Sequence, residues 1–421
     1  MKTGTCPYVG IDVASEFSYY GIVRPDGSDY GEPIKANNDA SGLKFILNKL
    51  NNAEKTLGKP TLVIESTGHY SSRLVYFFTR NDFKVILVNP LQSHAIKNCT
   101  IRKVKTDKMD CRELARLPLL TDLRVFQLQD DDTANLKVLT RTLSHLTEQK
   151  VDVLNQLCAT LEQIWPGYES IFTRVDARAS LEILTRYSSP DGFLGSNREE
   201  IVQLIRTSTR RSQEYAEDKY QKLWQTATDA KTIGVQLIGY ALSVQLYSTQ
   251  LQALIIQIEH LHSSIDELSA KIPAVGLLKT IPGIGETLAP VIAAEIGDIN
   301  RFTRAKQLVA YCGVDPSVRQ SGNFVASKNR FTKRGSPYIR RALYIAATVA
   351  VRQDGKGRCV NQVIHDYYQT KTGSKKKKQA LGAIMNKLVR IIFSVLKNQR
   401  PFILITPEEQ RELHRQLALA A

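Results

Sequence analysis

No stretch of this chain carries the ~20 successive apolar residues that a bilayer-spanning helix needs. The longest candidates, such as Leu343 to Val351, fall far short. The first residues, Met1 to Pro7, are polar and lead into no apolar signal segment, so a cytoplasmic protein without membrane contact is expected. Cysteine is scarce: six residues, at 6, 99, 111, 158, 312 and 359, form no CxxC pair and no Cys/His cluster at zinc spacing. That excludes a zinc ribbon or a disulfide framework and predicts reduced, mostly buried thiols. Acid is scarce in one region. Residues 276–400 hold 23 Lys and Arg against 6 Asp and Glu, a local net of +17 in a chain of +16, so the rest is close to neutral. A basic third on a neutral body is the electrostatic footprint of a polyanion, and nucleic acid is the natural partner. An acidic membrane surface fits less well, because Gly and Pro interrupt the region and leave no single amphipathic helix.

What is present begins with alternation. Tyr8 to Ser15 reads as a buried strand and Phe17 to Arg24 as a second, with an Asp26-Gly27 turn before a third at Glu32 to Ala36. A helix follows over Ser41 to Leu50 with Ser41 as candidate N-cap. Then come a strand at Thr61 to Glu65, a helix at Ser71 to Asn81, a strand at Lys84 to Asn89, and a helix at Lys108 to Leu117 stopped by Pro118. Three strands and then α-β-α alternation predict a mixed sheet with covering helices. The order resembles the α/β ribonuclease-H-like fold.

The period then changes. Leu136, Leu139, Leu143, Leu146, Lys150, Val153 and Leu157 recur at spacings of 3 and 4 that suit a helix. The run from Leu237 through Leu251, Leu254, Leu261 and Ile265 to Ile272 repeats over five heptads, the pattern of a coiled coil, and Pro273 ends it. Two long helices packed antiparallel within one chain and a dimerisation arm are both compatible with it. Residues 165–232 between them read as a small helical insert without evident chemistry. The expected domains are therefore 1–125, a coiled-coil arm over 126–272, and a basic, mostly α-helical domain over 273–421.

Three groups of residues carry chemistry. Asp12 interrupts the apolar strand VGIDV, where a charge is costly unless paired or bound to a metal. Glu65 closes another apolar strand, and Asp107 and Asp110 stand three apart at a helix start, on one face. Four such acids suit two Mg²⁺ ions about 4 Å apart in phosphoryl transfer. Asp107 as a plain helix cap is the simpler alternative. Second, Ile281-Pro282-Gly283-Ile284-Gly285 lies between helical stretches and resembles a helix-hairpin-helix DNA-backbone module. Gly283 and Gly285 would allow close approach to a phosphate; an ordinary tight turn is the competing reading. Third, Ser321 in Gln320-Ser321-Gly322 is surrounded in sequence by Arg319, Lys328, Arg330, Lys333 and Arg334, which suit phosphate contacts. A serine before glycine is also what any turn contains, and a hydroxyl needs activation to attack.

In order along the chain, GIDV (10–13), IEST (64–67), Lys105-Thr106-Asp107 with Asp110, IPGIGE (281–286), AYCGVDP (310–316), QSG (320–322) and KRGSPYIRRAL (333–343) resemble the DEDD-type transposases of insertion sequences. The resemblance covers about residues 8 to 400. It implies a RuvC-like domain in which Asp12, Glu65, Asp107 and Asp110 hold Mg²⁺, and a Ser321 that attacks DNA to give a phosphoserine. It further implies a bridge RNA guiding donor and target DNA, and a homo-oligomer, a dimer of dimers, with composite sites between protomers. Two other functions fit the residues taken singly. A RuvC-like junction nuclease would need the acids but not Ser321, and a non-catalytic nucleic-acid scaffold would need neither.

Overall fold

The computed structural model describes residues 6–66, 68–90, 93, 107–316, 320–321, 324–325, 331–404, 408–409, 411–412 and 415–416; for 107–108, 320–321 and 324–325 the backbone alone is described. The chain forms two compact units, 1–128 and 129–421.

The first unit is built on a five-stranded mixed sheet. Its strands are β1 (Tyr8–Val13), β2 (Phe17–Val23), β3 (Ile34–Asn37), β4 (Thr61–Glu65) and β5 (Lys84–Val88), in the order β3-β2-β1-β4-β5. β1 pairs antiparallel with β2 and parallel with β4, and β4 pairs parallel with β5. Helices α1 (Ala40–Leu57) and α2 (His69–Arg80) cover one face through Leu43, Ile46, Leu50, Leu74 and Phe78, all in one core with Val9 and Ile11. Helix α3 (Asp107–Leu120) covers the other, with Leu114 and Leu117 against Val63 and Val88. Two facing glycines set how close α3 comes. A Cβ on Gly10 would lie 1.8 Å from the Cys111 carbonyl oxygen, and one on Gly21 would meet the Cys111 sulfur at 2.8 Å.

Two details differ from the sequence expectation. The cap of α1 is Asp39, whose carboxylate accepts from Gly42 N at 2.7 Å while Ser41 Oγ donates to it; the longer acidic side chain reaches the first turn from one residue outside it. Pro118 does not stop α3, which runs on to Leu120, because a missing N–H in a final turn removes only one bond.

In the second unit, α4 (Asp131–Ile164) and α9 (Ile238–Lys271) lie antiparallel. Leu136 and Leu143 early in α4 share a core with Ile265 late in α9, and Leu157 and Leu161 share one with Val244, Leu251 and Leu254. The buried face of α9 includes Ser248 and Ser269, one position beyond the apolar heptad sites, whereas Leu237 is largely exposed. This is the drift of a 3.6-residue helix against a 3.5-residue pattern. Between them, α5 (Arg178–Arg186), α6 (Pro190–Leu194), α7 (Arg198–Thr209) and α8 (Gln213–Ile233) close around Trp165, Tyr168 and Phe193, with Trp165 5.0 Å and 5.3 Å from the other two rings. A buried Asp176 there is neutralised by Lys150 at 2.8 Å and Arg174 at 2.6 Å.

The base of the α4–α9 pair shares one core with the C-terminal helices α10 (Pro273–Lys279), α11 (Leu288–Ile296), α12 (Ala305–Cys312), α13 (Pro337–Ala350), α14 (Gln362–Thr372) and α15 (Lys377–Asn398). Pro273 opens α10 at its first position, where its absent N–H costs nothing. Among the described residues α15 is the one helix long and apolar enough to cross a membrane. Its Ile384, Leu388 and Ile392 are buried among the other helices, as in the core helix of a globular unit. Of the described cysteines, Cys111 and Cys312 are buried and Cys6, Cys158 and Cys359 half-buried, a wetter set than expected.

Candidate active site and nucleic-acid interface

Three of the four sequence-predicted acids stand on one side and at one end of the sheet. β1 and β4 run parallel with Ile11 level with Ile64, so Asp12 and Glu65, the next residues on each, are neighbours. Side chains two apart on a strand share a face. Gly10 lies against α3, so Asp12 projects to that side too. Val63 packs on Leu114 of α3, so Glu65 shares it. Along α3, Leu119 packs with Val23 and Cys111 with Gly10 and Gly21, so the helix runs against β1 and begins at the Asp12 end. Asp110 is in that first stretch, and Asp107 is the first residue of the helix; the Asp107 side chain lies outside the described residues. Burial, and after it the charge of Asp12, push the Cys111 thiol up to about 11, an independent sign that the Asp12 carboxylate is near the start of α3. Among the described residues no three His, Cys, Asp or Glu side chains are gathered tightly enough to hold a metal ion.

In the second unit Ser321 sits on a β-ribbon. β6 (Gln320–Ser321) pairs antiparallel with β7 (Phe324–Val325), Ser321 opposite Phe324, so a two-residue connection follows the serine directly and Ser321 is at the ribbon tip. The two described segments that flank the ribbon in sequence, its root, are tied to each other. Pro316 bridges Phe331, Thr332 N donates to Asp315 O at 3.1 Å, and Thr332 Oγ1 donates to the Asp315 carboxylate at 2.5 Å. Asn386 of α15 donates to Val314 O at 3.5 Å, and Phe331 packs where a Cβ on Gly382 would stand 2.9 Å from its ring. Lys333 takes φ 53° and closes onto Gly313 O at 3.3 Å; Arg340 then donates to Gly335 O at 2.9 Å. Lys333 and Arg334 are exposed beside this root, open to an anion. Arg319, Lys328 and Arg330 lie outside the described residues, as does the Ser321 side chain.

The glycine hairpin between α10 and α11 divides its labour. Ile281 and Ile284 are buried anchors. Gly283, at φ 102°, backs onto α13, where a Cβ would meet Ala350 at 2.9 Å, so its close approach is to protein. Gly285 has open space where a side chain would be.

Sequence reasoning missed Glu295. It lies in the apolar helix α11, 1% exposed, and accepts from Arg141 Nε at 2.6 Å and Nη2 at 3.1 Å. Arg141 lies over the Tyr338 ring at 4.8 Å, and Tyr338 Oη is 2.9 Å from His145 Nε2, which ties α4 to the start of α13 beyond the ribbon. Burial would raise the Glu295 carboxyl, but the Arg141 hydrogen bonds and the charge of Lys137 outweigh it and hold the carboxyl below the ordinary range. Its only signal in sequence was one charge inside LAPVIAAEI, the same signal that marked Asp12. Replacing Glu295 by Gln strands Arg141 and Lys137. Arg141 is 40% exposed and water screens it, so the loss is expected at about 2–3 kcal/mol, below that of a fully buried pair. A depressed carboxyl stabilises the fold above its unfolded value and loses that contribution as pH falls. The gap in melting temperature between wild type and Glu295→Gln should therefore narrow below about pH 4. A gap that is constant from pH 7 to 3 removes the ion pair from the account.

The family model described as Transposase, of the DEDD type of IS110, matches residues 9–166. The model of the transposase IS116/IS110/IS902 family matches residues 275–369, so the two together span more than half of the chain. The insertion element IS110 43.6 kDa protein of Streptomyces coelicolor is 25% identical over 75% of this chain and 76% of its own. The pilin gene-inverting protein of Moraxella bovis is 25% identical over 81% of each. The insertion element IS900 42 kDa protein of Mycobacterium paratuberculosis is 23% identical over 93% of this chain and 96% of its own. With an acid-bearing mixed sheet in the first matched segment and a helical basic unit holding the second, this chain belongs to the DEDD-type transposase family of insertion sequences, enzymes that cut and rejoin DNA.

Proposed function

We propose that the protein is an RNA-guided DNA recombinase whose nucleophile is Ser321 and whose RuvC-like domain holds Mg²⁺ through Asp12, Glu65, Asp107 and Asp110. The observation that carries the reading is the place of Ser321 next to the turn of the β6–β7 ribbon, in a stretch whose flanking segments are joined at Asp315 and Thr332. A hydroxyl that must attack a phosphodiester has to be presented at a turn or an end, not buried within a sheet.

The Ser321 oxygen attacks phosphorus, a serine–phosphate bond forms, and the bond from phosphorus to one deoxyribose oxygen breaks. The serine proton is released, and the leaving oxygen takes one up. The bond energy stays in the phosphoserine, so a second DNA hydroxyl can displace the serine without an external energy source. Exposed Lys333 and Arg334 hold phosphate beside the ribbon root. The carboxylates supply only hard oxygen donors, the set that suits Mg²⁺, and Asp12, Glu65 and Asp110 share one side of the sheet; bound there, the metal would stabilise charge on the phosphate oxygens. Base pairing to a bridge RNA would supply the choice of donor and target sites, and its phosphates add to the demand for the +17 carried by residues 276–400.

The decisive experiment mixes protein, co-purified RNA and labelled DNA, denatures, and maps any DNA-linked peptide. A link at Ser321 is expected. A junction nuclease gives cut DNA and no link, and a scaffold gives neither.

Self-association through α9 uses its exposed flank, Ile238, Leu242, Leu246 and Ile256. Leu254 is packed inside its own chain. Leu242→Glu with Ile256→Glu should reduce the assembly to a smaller species in light scattering at unchanged helix content. An unchanged mass moves the oligomer contact elsewhere.

A further inference from the structure

Tyr367 of α14 is approached by two ammonium groups at once. Lys371 Nζ lies 4.9 Å from its ring centroid and Lys387 Nζ, from α15, 4.4 Å. Four more lysines, 375–378, are exposed in the short link between these helices and the start of α15. Among the described residues none of these six lysines has a carboxylate at ion-pair distance, and Asp366 nearby is engaged by Gln362 at 2.8 Å. Burial, then the charge of Lys371, hold the Lys387 ammonium below its ordinary range.

Two cations on one ring repel each other, and the ring returns only about 0.5–1 kcal/mol for each. An acid paired with either lysine would relieve this, but the nearby Asp366 is held by Gln362, and among the described residues no carboxylate stands at ion-pair distance from Lys371 or Lys387. The arrangement costs stability in the free protein and becomes favourable when a polyanion covers it. Its position is also informative. Gly382, where Phe331 at the ribbon root packs, lies five residues beyond Lys377, about 8 Å along α15. The lysine cluster and Phe331, on the segment that follows the ribbon in sequence, therefore meet the same helix. Single-stranded RNA calls for exposed aromatic faces on which bases stack, whereas the Tyr367 ring is half-buried and taken by its two lysines. What is offered is charge, the chemistry of a duplex backbone.

We propose that Tyr367, Lys371, Lys387 and the lysines 375–378 form a phosphate clamp for duplex DNA beside the Ser321 ribbon. The proposal rests on the DNA-transposase reading and not on the serine chemistry, so binding is measured and strand exchange is not. Full-length wild type, Lys371→Met with Lys387→Met, and a variant with 375–378 changed to glutamine are titrated with a plain duplex across a range of salt. The double methionine variant should bind about tenfold more weakly near physiological salt, with a log–log salt slope smaller by about 2. Its melting temperature in the absence of DNA should not fall, because a repulsion has been removed. The glutamine variant should lose up to about 3–4 from the slope. An unchanged affinity and slope overturns the clamp. So does a melting temperature that drops with the affinity, which would mark the lysines as structural. A loss seen only with a structured RNA in place of the duplex overturns the assignment to DNA.

Discussion

Ser321→Ala is expected to bind DNA like wild type and to carry out no measurable strand exchange, a loss of at least about 10⁴-fold, in line with the removal of a catalytic nucleophile. The substitution deletes one oxygen at the tip of a ribbon held elsewhere, at Asp315, Thr332 and Phe331, so folding stability should stay within about 0.5 kcal/mol. No neighbouring group stands in by necessity: a lysine or arginine nearby would hold phosphate but cannot form a phosphoester. The products tell the competing functions apart. If Ser321→Ala still cuts DNA at the wild-type rate and fails only to rejoin it, hydrolysis is carried by the acids and the chain is a nuclease in mechanism. If it recombines normally, or the wild-type adduct maps to a tyrosine, the serine proposal is lost. Thr332→Val offers a graded control. It removes the hydroxyl bonded to Asp315 at the ribbon root and keeps the nucleophile, so exchange should slow while the adduct still maps to Ser321.

The inner strands of the first sheet were legible because β1, β4 and β5 are short, largely apolar runs, whereas the two-residue strands β6 and β7 carry too few residues to show a pattern. Thr61 to Glu65 is a strand in both readings, and its closing acid is where the sequence put it. Helix ends were less so, since a cap depends on which side chain reaches the first turn, and both Asp39 and Ser41 are good candidates by type. The insert was the least legible. Three of its four helices run to twelve residues or fewer, and its order comes from Trp165, Tyr168 and Phe193 packing on one another, a pattern with no period along the chain. Helix α14 escaped for a related reason: only Ile364 and His365 on it are buried, too few to mark a face.

The acids divide in the same way. A charge in an apolar strand or helix signals that something must neutralise it, and the sequence does not say what. For Glu295 the answer is Arg141, from a helix more than a hundred residues earlier, and its role is structural. For Asp12 the strand register brings Glu65 of β4 level with it, and the start of α3, which carries Asp110, lies on the same side of the sheet. The metal proposal is that these acids share a cation, which favours carboxylates held near one another in their charged form.

That contrast makes Asp12→Asn the sharper test of the metal proposal. Asparagine keeps the shape and the position on β1 between Ile11 and Val13, so the sheet should hold. Strand exchange should fall by at least about 10³-fold, roughly 4 kcal/mol of transition-state stabilisation. Binding of Mg²⁺ or Mn²⁺ to the full-length protein, followed by calorimetry, should weaken in parallel, which separates a lost ligand from a lost fold. If metal affinity is unchanged, Asp12 is no ligand, and the cation must be sought among the other three acids. If exchange itself is undiminished, the carboxylate site has no part in the reaction.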